Sequence, residues 1–300
     1  MTSDIINVAI IGTGNIGTDL CARILKDERF NLVAFIGRRA NSAGLQMFEG
    51  QVQELLANGV QDLLSVSERI EGFFDATTAF DHKKHWDLLK DRVDWAIDLT
   101  PSQVGVPMVP ELIGLSPQFS LNDITHFNFS MVTCGGQSAA PLIYSMSKFS
   151  RKIEEIEISS SIASKSAGPA TRLNIDHYIE STENLAKLIS KCNSTKAILV
   201  LNPAEPPIMM RTTVQMKIED CNLANIQEEL ERIVMKIKTY VPGYEVVIEP
   251  HFSNKNVISA TAKVKGAGFV LPEYAGNLDI INAAAVETAK KISMLKKKYA

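Results

Sequence analysis

Cysteine is scarce in this chain. Cys21, Cys134, Cys192 and Cys221 are its four cysteines in 300 residues, and none forms a C-x-x-C pair, which argues against a disulfide framework or a metal knuckle and fits a reducing cytoplasm. Long hydrophobic runs are missing as well. The first strongly apolar stretch, Val8–Ile11, ends in glycines, far short of the ~20 residues that span a bilayer or of a secretory h-region, so no targeting or membrane segment is expected. Nor does charge of one sign accumulate: 31 Lys and Arg against 34 Asp and Glu leave a net charge of −3, which excludes nucleic acid or an anionic membrane as the main partner. Internal repeats and low-complexity segments are absent. What remains, 45% hydrophobic and 22% charged, is the composition of a globular protein of one large or two modest domains.

The pattern opens as a βαβ unit. Val8-Ala9-Ile10-Ile11 reads as a buried strand, followed at once by Gly12-Thr13-Gly14-Asn15-Ile16-Gly17 and a helix to Lys26. Leu32–Ile36, Phe73–Ala76 and Trp95–Leu99 continue the alternation, which predicts an α/β fold with a doubly wound parallel sheet. Gly105–Ser120, with Pro107, Pro110 and Pro117, reads as irregular loop, and the domain change is placed just after it. From Asn128 the pattern turns α+β: strand Phe129–Thr133, helix Gln137–Phe149, half-exposed strand Ile153–Ile162, strands Lys196–Leu201 and Met210–Ile218, and amphipathic helix Asn222–Tyr240. A last helix, Leu278–Met294, leads to Lys296-Lys297-Lys298, which would complement its dipole.

In Gly12-x-Gly14-x-x-Gly17 the first glycine permits a tight turn, the second lets backbone approach a pyrophosphate, and the third lets helix and strand pack closely. The placement after a strand and before a helix makes the motif informative. An NAD site usually has an acid at the end of the second strand, but this chain has Gly37-Arg38-Arg39. Two guanidinium groups there would suit the 2′-phosphate of NADP, or they are solvated surface charges.

Cys134 stands in Met131-Val-Thr-Cys134-Gly-Gly-Gln137, a strand-to-helix turn whose glycines leave the sulfur unobstructed. A thiol at a helix N-terminus is expected to have its pKa lowered, and the same N–H groups could steady an oxyanion. Cys134 is therefore the candidate nucleophile, and Cys21, Cys192 and Cys221 are read as structural. His82 and His85 form an H-x-x-H among Asp81, Lys83, Lys84 and Asp87, which reads as a solvated helix before a metal site. His126, His177 and His251 have no clustered partners, and nothing marks a Ser, His, Asp triad.

With these residues in place the chain resembles the acylating acetaldehyde dehydrogenases, partners of 4-hydroxy-2-oxovalerate aldolases in aromatic-ring cleavage pathways. The likeness is carried by eight ordered runs: Val8–Leu20, Phe74–Thr77, Ile97–Pro101, Met131–Gln137, Ser161–Asp176, Leu201–Arg211, Tyr240–Tyr244 and Leu271–Ile280. The resemblance implies a Rossmann domain over 1–127, completed by a C-terminal helix at 278–300, and a catalytic and dimerisation domain over 128–277. It puts the acyl-thioester cysteine on Cys134 and the first cofactor loop on Thr13, Gly14, Asn15 and Ile16. The second cofactor loop falls on Ser166, Ala167, Gly168, Pro169, Ala170, Thr171, Arg172, Leu173 and Asn174, and the nicotinamide-side asparagine on Asn277. Where the family carries an Asp credited with polarising the thiol, this chain has Thr212, whose neutral hydroxyl could hydrogen-bond the thiol but not act as a carboxylate base. Two further departures are Arg38, where many members are acidic, and a short stretch from His251 to Lys265.

The implied activity is reversible, cytoplasmic oxidation of acetaldehyde or another short aldehyde to an acyl-CoA, with NAD or NADP as cofactor and coenzyme A as co-substrate, by a homodimer working through a cysteine thioester. Two alternatives stand beside it: a phosphate-dependent semialdehyde dehydrogenase, and a non-catalytic Rossmann partner of an aldolase. Intact Cys134 and cofactor loops speak against the second.

Overall fold

The computed structural model describes residues 5–115, 119 and 127–299. Pro117, Ser120 and His126 lie outside the described residues, as do the side chains of Pro169, Ala170 and Lys296–Lys298.

The opening apolar runs become strands because both of their faces are covered. β1 (Ile6–Ile11), β2 (Phe30–Ile36), β3 (Glu54–Leu56), β4 (Gly72–Asp75), β5 (Trp95–Asp98), β6 (Val106–Pro107) and β7 (Phe127–Ser130) pair in parallel in the order β3-β2-β1-β4-β5-β7-β6. Continuous rather than alternating hydrophobicity is what a sheet buried on two sides requires. α1 (Asn15–Leu25), α2 (Ala43–Met47) and α3 (Ala79–Leu89) connect these strands. The strand order reverses between β1 and β4, so a crevice opens at their carboxyl ends beside Gly12 and Ala76, the usual ligand position in such sheets.

Two expectations change here. The strand expected to open the second domain over Phe129–Thr133 is β7, and it pairs with β5 in the first sheet, Ile97 opposite Phe129. The stretch Gly105–Ser120 is not all irregular, since β6 and a 3-10 turn at Pro110–Leu112 lie within it. Pro107 is tolerated because β6 is an edge strand, where a missing N–H costs no ladder bond.

The second sheet holds β8 (Ser150–Ala163), β9 (Thr195–Asn202), β10 (Met210–Cys221), β11 (Tyr244–Asn254) and β12 (Val257–Val264) in the order β11-β12-β10-β8-β9. Its pairings are antiparallel except for β8 with β9. α4 (Cys134–Lys148), α6 (Ile175–Ser190) and α7 (Leu223–Ile237) pack on it, while the short α5 (Pro169–Leu173) links β8 to α6. The strand period of two puts Ile156, Ile158 and Ile162 of β8 and Met210, Val214 and Met216 of β10 in buried rows. Ser160 and Thr212 interrupt those rows, and they stand opposite each other across the β8/β10 ladder.

The last helix, α8 (Gly276–Tyr299), packs against α1 and α4. Asn282 Nδ2 donates to the Ile16 carbonyl at 3.2 Å and to Asp19 at 3.0 Å, Arg23 pairs with Asp279 at 2.6 Å, and Lys290 pairs with Asp27. The helix that follows the glycine loop is thus held from the far end of the chain.

α3 corrects the reading of His82 and His85 as part of a solvated helix. His82 is fully buried; its Nδ1 lies 3.0 Å from Asp75 Oδ2, and His85 Nδ1 lies 2.8 Å from the same oxygen. Burial alone would raise the Asp75 carboxyl, yet the two imidazoles hold it down at about 2. The neighbouring Asp98, buried with less compensation, is pushed up to about 6. α3 therefore turns one polar edge inward onto a carboxylate, a pattern that apolar periodicity does not reveal.

Candidate active site

Each glycine of the loop can be tested by asking what a β-carbon would meet. At Gly12, with φ of +110°, it would come within 2.6 Å of the Ala76 carbonyl, and at Gly17 it would overlap the Gly12 carbonyl. At Gly14 it would meet nothing within 4 Å. The outer two glycines serve the fold, while the middle one keeps open the place where a pyrophosphate approaches. No side chain caps α1, so the N–H groups of its first turn, over Asn15, Ile16 and Gly17, are available to an anion. Thr13 is fixed beneath them by the Ser42 hydroxyl at 2.7 Å.

Beside the loop lies a cleft of about 610 Å³ lined by Gly12, Thr13, Gly14, Gly37, Arg38 and residues of the β4–α3 turn. The structure separates the two candidate arginines. Arg38 lines the cleft together with Lys84; Arg39 is exposed and does not line it.

Cys134 is the first residue of α4, three residues before the start of the helix expected at Gln137, and it is half-buried. The Thr133 hydroxyl caps the helix by accepting the Gly136 N–H at 2.8 Å. The turn before it is strained. Val132 takes φ of 60°, a left-handed conformation that costs a β-branched residue on the order of 1–3 kcal/mol. Burial pushes the Cys134 thiol up to about 11, against the opposing pull of Tyr178 and of the N–H groups of Gly135 and Cys134 itself. The shift runs opposite to the lowering expected at a helix N-terminus, because loss of hydration outweighs the local N–H groups.

Thr212 belongs to the polar pair of the β8/β10 ladder. It is fully buried, and its hydroxyl lies 3.2 Å from Ser160 Oγ. The group that reaches the sulfur is Tyr178 of α6, whose hydroxyl accepts from the thiol at 4.0 Å and stands beside Ser160. Sequence reasoning missed both residues. The available signals were a serine in the buried row of β8 and a tyrosine just beyond the Ser161–Asp176 run.

The second loop is well ordered by its own contacts. Ser166 Oγ donates to the Ala163 carbonyl at 2.8 Å, and the Arg172 guanidinium clamps the carbonyls of Ser164 and Ala167 at 2.9 and 3.1 Å. Arg172 is thus spent on the loop itself, while Leu173 is 84% exposed. Gly168 keeps open space above it, Thr171 lies within α5, and Asn174 accepts the Tyr178 N–H at 2.9 Å at the start of α6. Among its described residues none lines the cleft beside the phosphate loop. Asn277, in the first turn of α8, is buried, and its Oδ1 has no partner. An orphaned buried carbonyl, an open Gly14 and an uncapped helix start are features that a dinucleotide would complete.

Comparison with known proteins agrees with this geometry. The model of the prokaryotic acetaldehyde dehydrogenase dimerisation domain matches residues 134–272, from the cysteine through the whole second sheet. An acetaldehyde dehydrogenase of Pectobacterium atrosepticum is 43% identical over 97% of this chain and 97% of its own. One of Spirochaeta aurantia is 44% identical over 95% of this chain and 94% of its own, and one of Geobacillus stearothermophilus is 38% identical over 96% of each. On likeness of this extent, the chain belongs to the acetaldehyde dehydrogenase family.

Proposed function

We propose that this oxidoreductase converts acetaldehyde or another short aldehyde to the acyl-CoA, with Cys134 as the covalent nucleophile. The observation that supports it most is the position of Cys134, at the capped start of α4 beside Gly135 and Gly136, after a strained turn at the carboxyl end of a Rossmann strand.

In this reading the Cys134 sulfur adds to the aldehyde carbon, and the N–H groups of the first turn of α4 favour the negative charge that develops there. A nicotinamide, when bound, supplies the hydride acceptor for the carbon that Cys134 holds. The Gly12–Gly17 loop and the first turn of α1 would hold its pyrophosphate, and Asn277 its amide end. Arg38 would meet a 2′-phosphate, which makes NADP acceptable beside NAD. The thiol of coenzyme A then takes the acyl group, freeing Cys134 for another turnover. Thr212 is assigned no contact with the reacting atoms, in contrast to the position's role in the family.

The match of residues 134–272 to a dimerisation model supports a homodimer, and four free cysteines suit the cytoplasm. The aldolase partner rests on the resemblance alone. The test is dinucleotide reduction with acetaldehyde in the presence of coenzyme A or of inorganic phosphate. Turnover sustained by coenzyme A, with acyl-CoA as product, is expected; turnover sustained by phosphate alone would identify the semialdehyde-type acceptor instead.

A further inference from the structure

The Cys134 thiol is raised by burial, and the carboxylate that the resemblance would set behind it is absent, so something else must make a thiolate attainable. The Tyr178 hydroxyl accepts from the thiol at 4.0 Å. Its position is fixed by the same element that carries the sulfur. Thr182 donates to the Tyr178 carbonyl at 2.7 Å and meets Thr133, the cap of α4, at 2.8 Å. Gly135 leaves the room needed, since a β-carbon there would overlap the Tyr178 hydroxyl and come within 2.8 Å of Ser160 Oγ. Ser160 Oγ stands beside the tyrosine hydroxyl on the same side of Gly135, and the Thr212 hydroxyl lies 3.2 Å from Ser160. Three hydroxyls thus lead from β10 to the sulfur.

Resting on the reading of Cys134 as nucleophile, we propose that the Tyr178 hydroxyl is a catalytic hydrogen-bond donor to the Cys134 thiolate, polarised in turn by Ser160 and Thr212 as positioning residues. When the thiol proton leaves to solvent, the Tyr178 O–H turns to donate to the bare sulfur. Ser160 then donates to the tyrosine oxygen, and Thr212 to Ser160. Each hydroxyl keeps its own proton throughout: Thr212 donates to Ser160, Ser160 to Tyr178 and Tyr178 to the sulfur. The same donor steadies the sulfur when the carbon–sulfur bond of the thioester breaks and its electron pair returns to Cys134. Burial holds the phenol itself un-ionised, well above its ordinary range, so Tyr178 acts as a donor and not as a base. The other groups that bear on the thiol are the N–H groups of Gly135 and Cys134, and none of them is charged.

A purely structural tyrosine would satisfy the same packing, so the test must read the sulfur. Alkylation of Cys134 by iodoacetamide is followed against pH in the full chain without aldehyde, dinucleotide or coenzyme A. Below the midpoint the rate follows the thiolate fraction, so Tyr178→Phe is expected to lower it about three- to tenfold, the size of one neutral hydrogen bond. The difference should close at high pH. Ser160→Ala is expected to lower it in the same sense by about two- to threefold, and it serves alone should Tyr178→Phe not fold. Wild-type alkylation at every pH in a folded Tyr178→Phe, or in Ser160→Ala, overturns the proposal. Since the assay contains no substrate, failure of the aldehyde reaction itself would count against the proposed function and leave this result standing.

Discussion

The hydroxyls of Thr212 and Ser160 lie 3.2 Å apart as a cross-strand pair, with Tyr178 between them and the Cys134 sulfur. The position at which the family carries a carboxylate is therefore occupied by a neutral group two side chains away from the nucleophile. Burial, opposed by neutral hydrogen-bond donors, gives a thiol that ionises late.

The thiol should show this in both reactivity and stability. With Cys134 raised to about 11 and Cys21 to about 12, each above a reference of 9.0, labelling of Cys134 should keep increasing with pH well past neutrality. A cysteine whose folded pKa is raised contributes stability that is complete below its unfolded value and is lost as pH rises toward the folded one. Resistance to denaturant should therefore weaken above about pH 9. Cys134→Ser should weaken less over that range; identical pH dependence in the two proteins would contradict the assignment.

The glycine loop predicts a split between function and fold. Gly14→Ala adds a methyl group that meets nothing in the protein, so the unfolding midpoint should hold while the Michaelis constant for the dinucleotide rises at least tenfold. Gly17→Ala would force α1 off the Gly12 carbonyl and should lower stability by about 1–3 kcal/mol. Equal effects on both properties in both variants would remove the distinction.

Arg38 lines the cleft and Arg39 does not. Loss of one charge-assisted phosphate contact costs about 1.5–3 kcal/mol, and an exposed arginine should fall at the lower end. Arg38→Ala should thus raise the Michaelis constant for NADP about tenfold, leave that for NAD nearly unchanged, and exceed the effect of Arg39→Ala. Equal losses for both cofactors would mark Arg38 as a surface charge.

Beneath the same cleft, Asp75 is held at about 2 by His82 and His85. A depressed carboxyl contributes stability present above its unfolded pKa and lost as pH falls through the folded one. Asp75→Asn leaves the buried His82 and the half-buried His85 short of their anion and should cost about 3 kcal/mol near neutrality. It should also flatten the acid limb of the stability profile; calorimetry over that limb checks both.

The opening unit was legible in the sequence because its signals are local: β1, the glycine spacing and α1 all fall within Ile6–Leu25. The place of Cys134 at a strand-to-helix turn is legible for the same reason, by its glycine neighbours. β7 was assigned to the wrong unit because its partner, β5, lies some thirty residues earlier across a proline-rich crossover. β11 and β12 went unassigned since exposed polar residues along β11 break the alternation that marks a strand. His82 read as surface because a charged helix can still bury a single polar side chain when a carboxylate awaits it. The relay was hidden most deeply: Thr212, Ser160 and Tyr178 come from three elements, and only the β8/β10 register and the packing of α6 bring them to one sulfur.

The central claim is that Cys134 carries the acyl group. It is tested most directly by mass analysis of proteolytic peptides after the protein has reacted with acetaldehyde and dinucleotide in the absence of coenzyme A. An acetyl group is expected on the peptide containing Cys134, released when coenzyme A is added and absent in Cys134→Ser. An unmodified Cys134 peptide in protein that has reduced its dinucleotide, or an acetyl group on another residue that coenzyme A discharges, would contradict it.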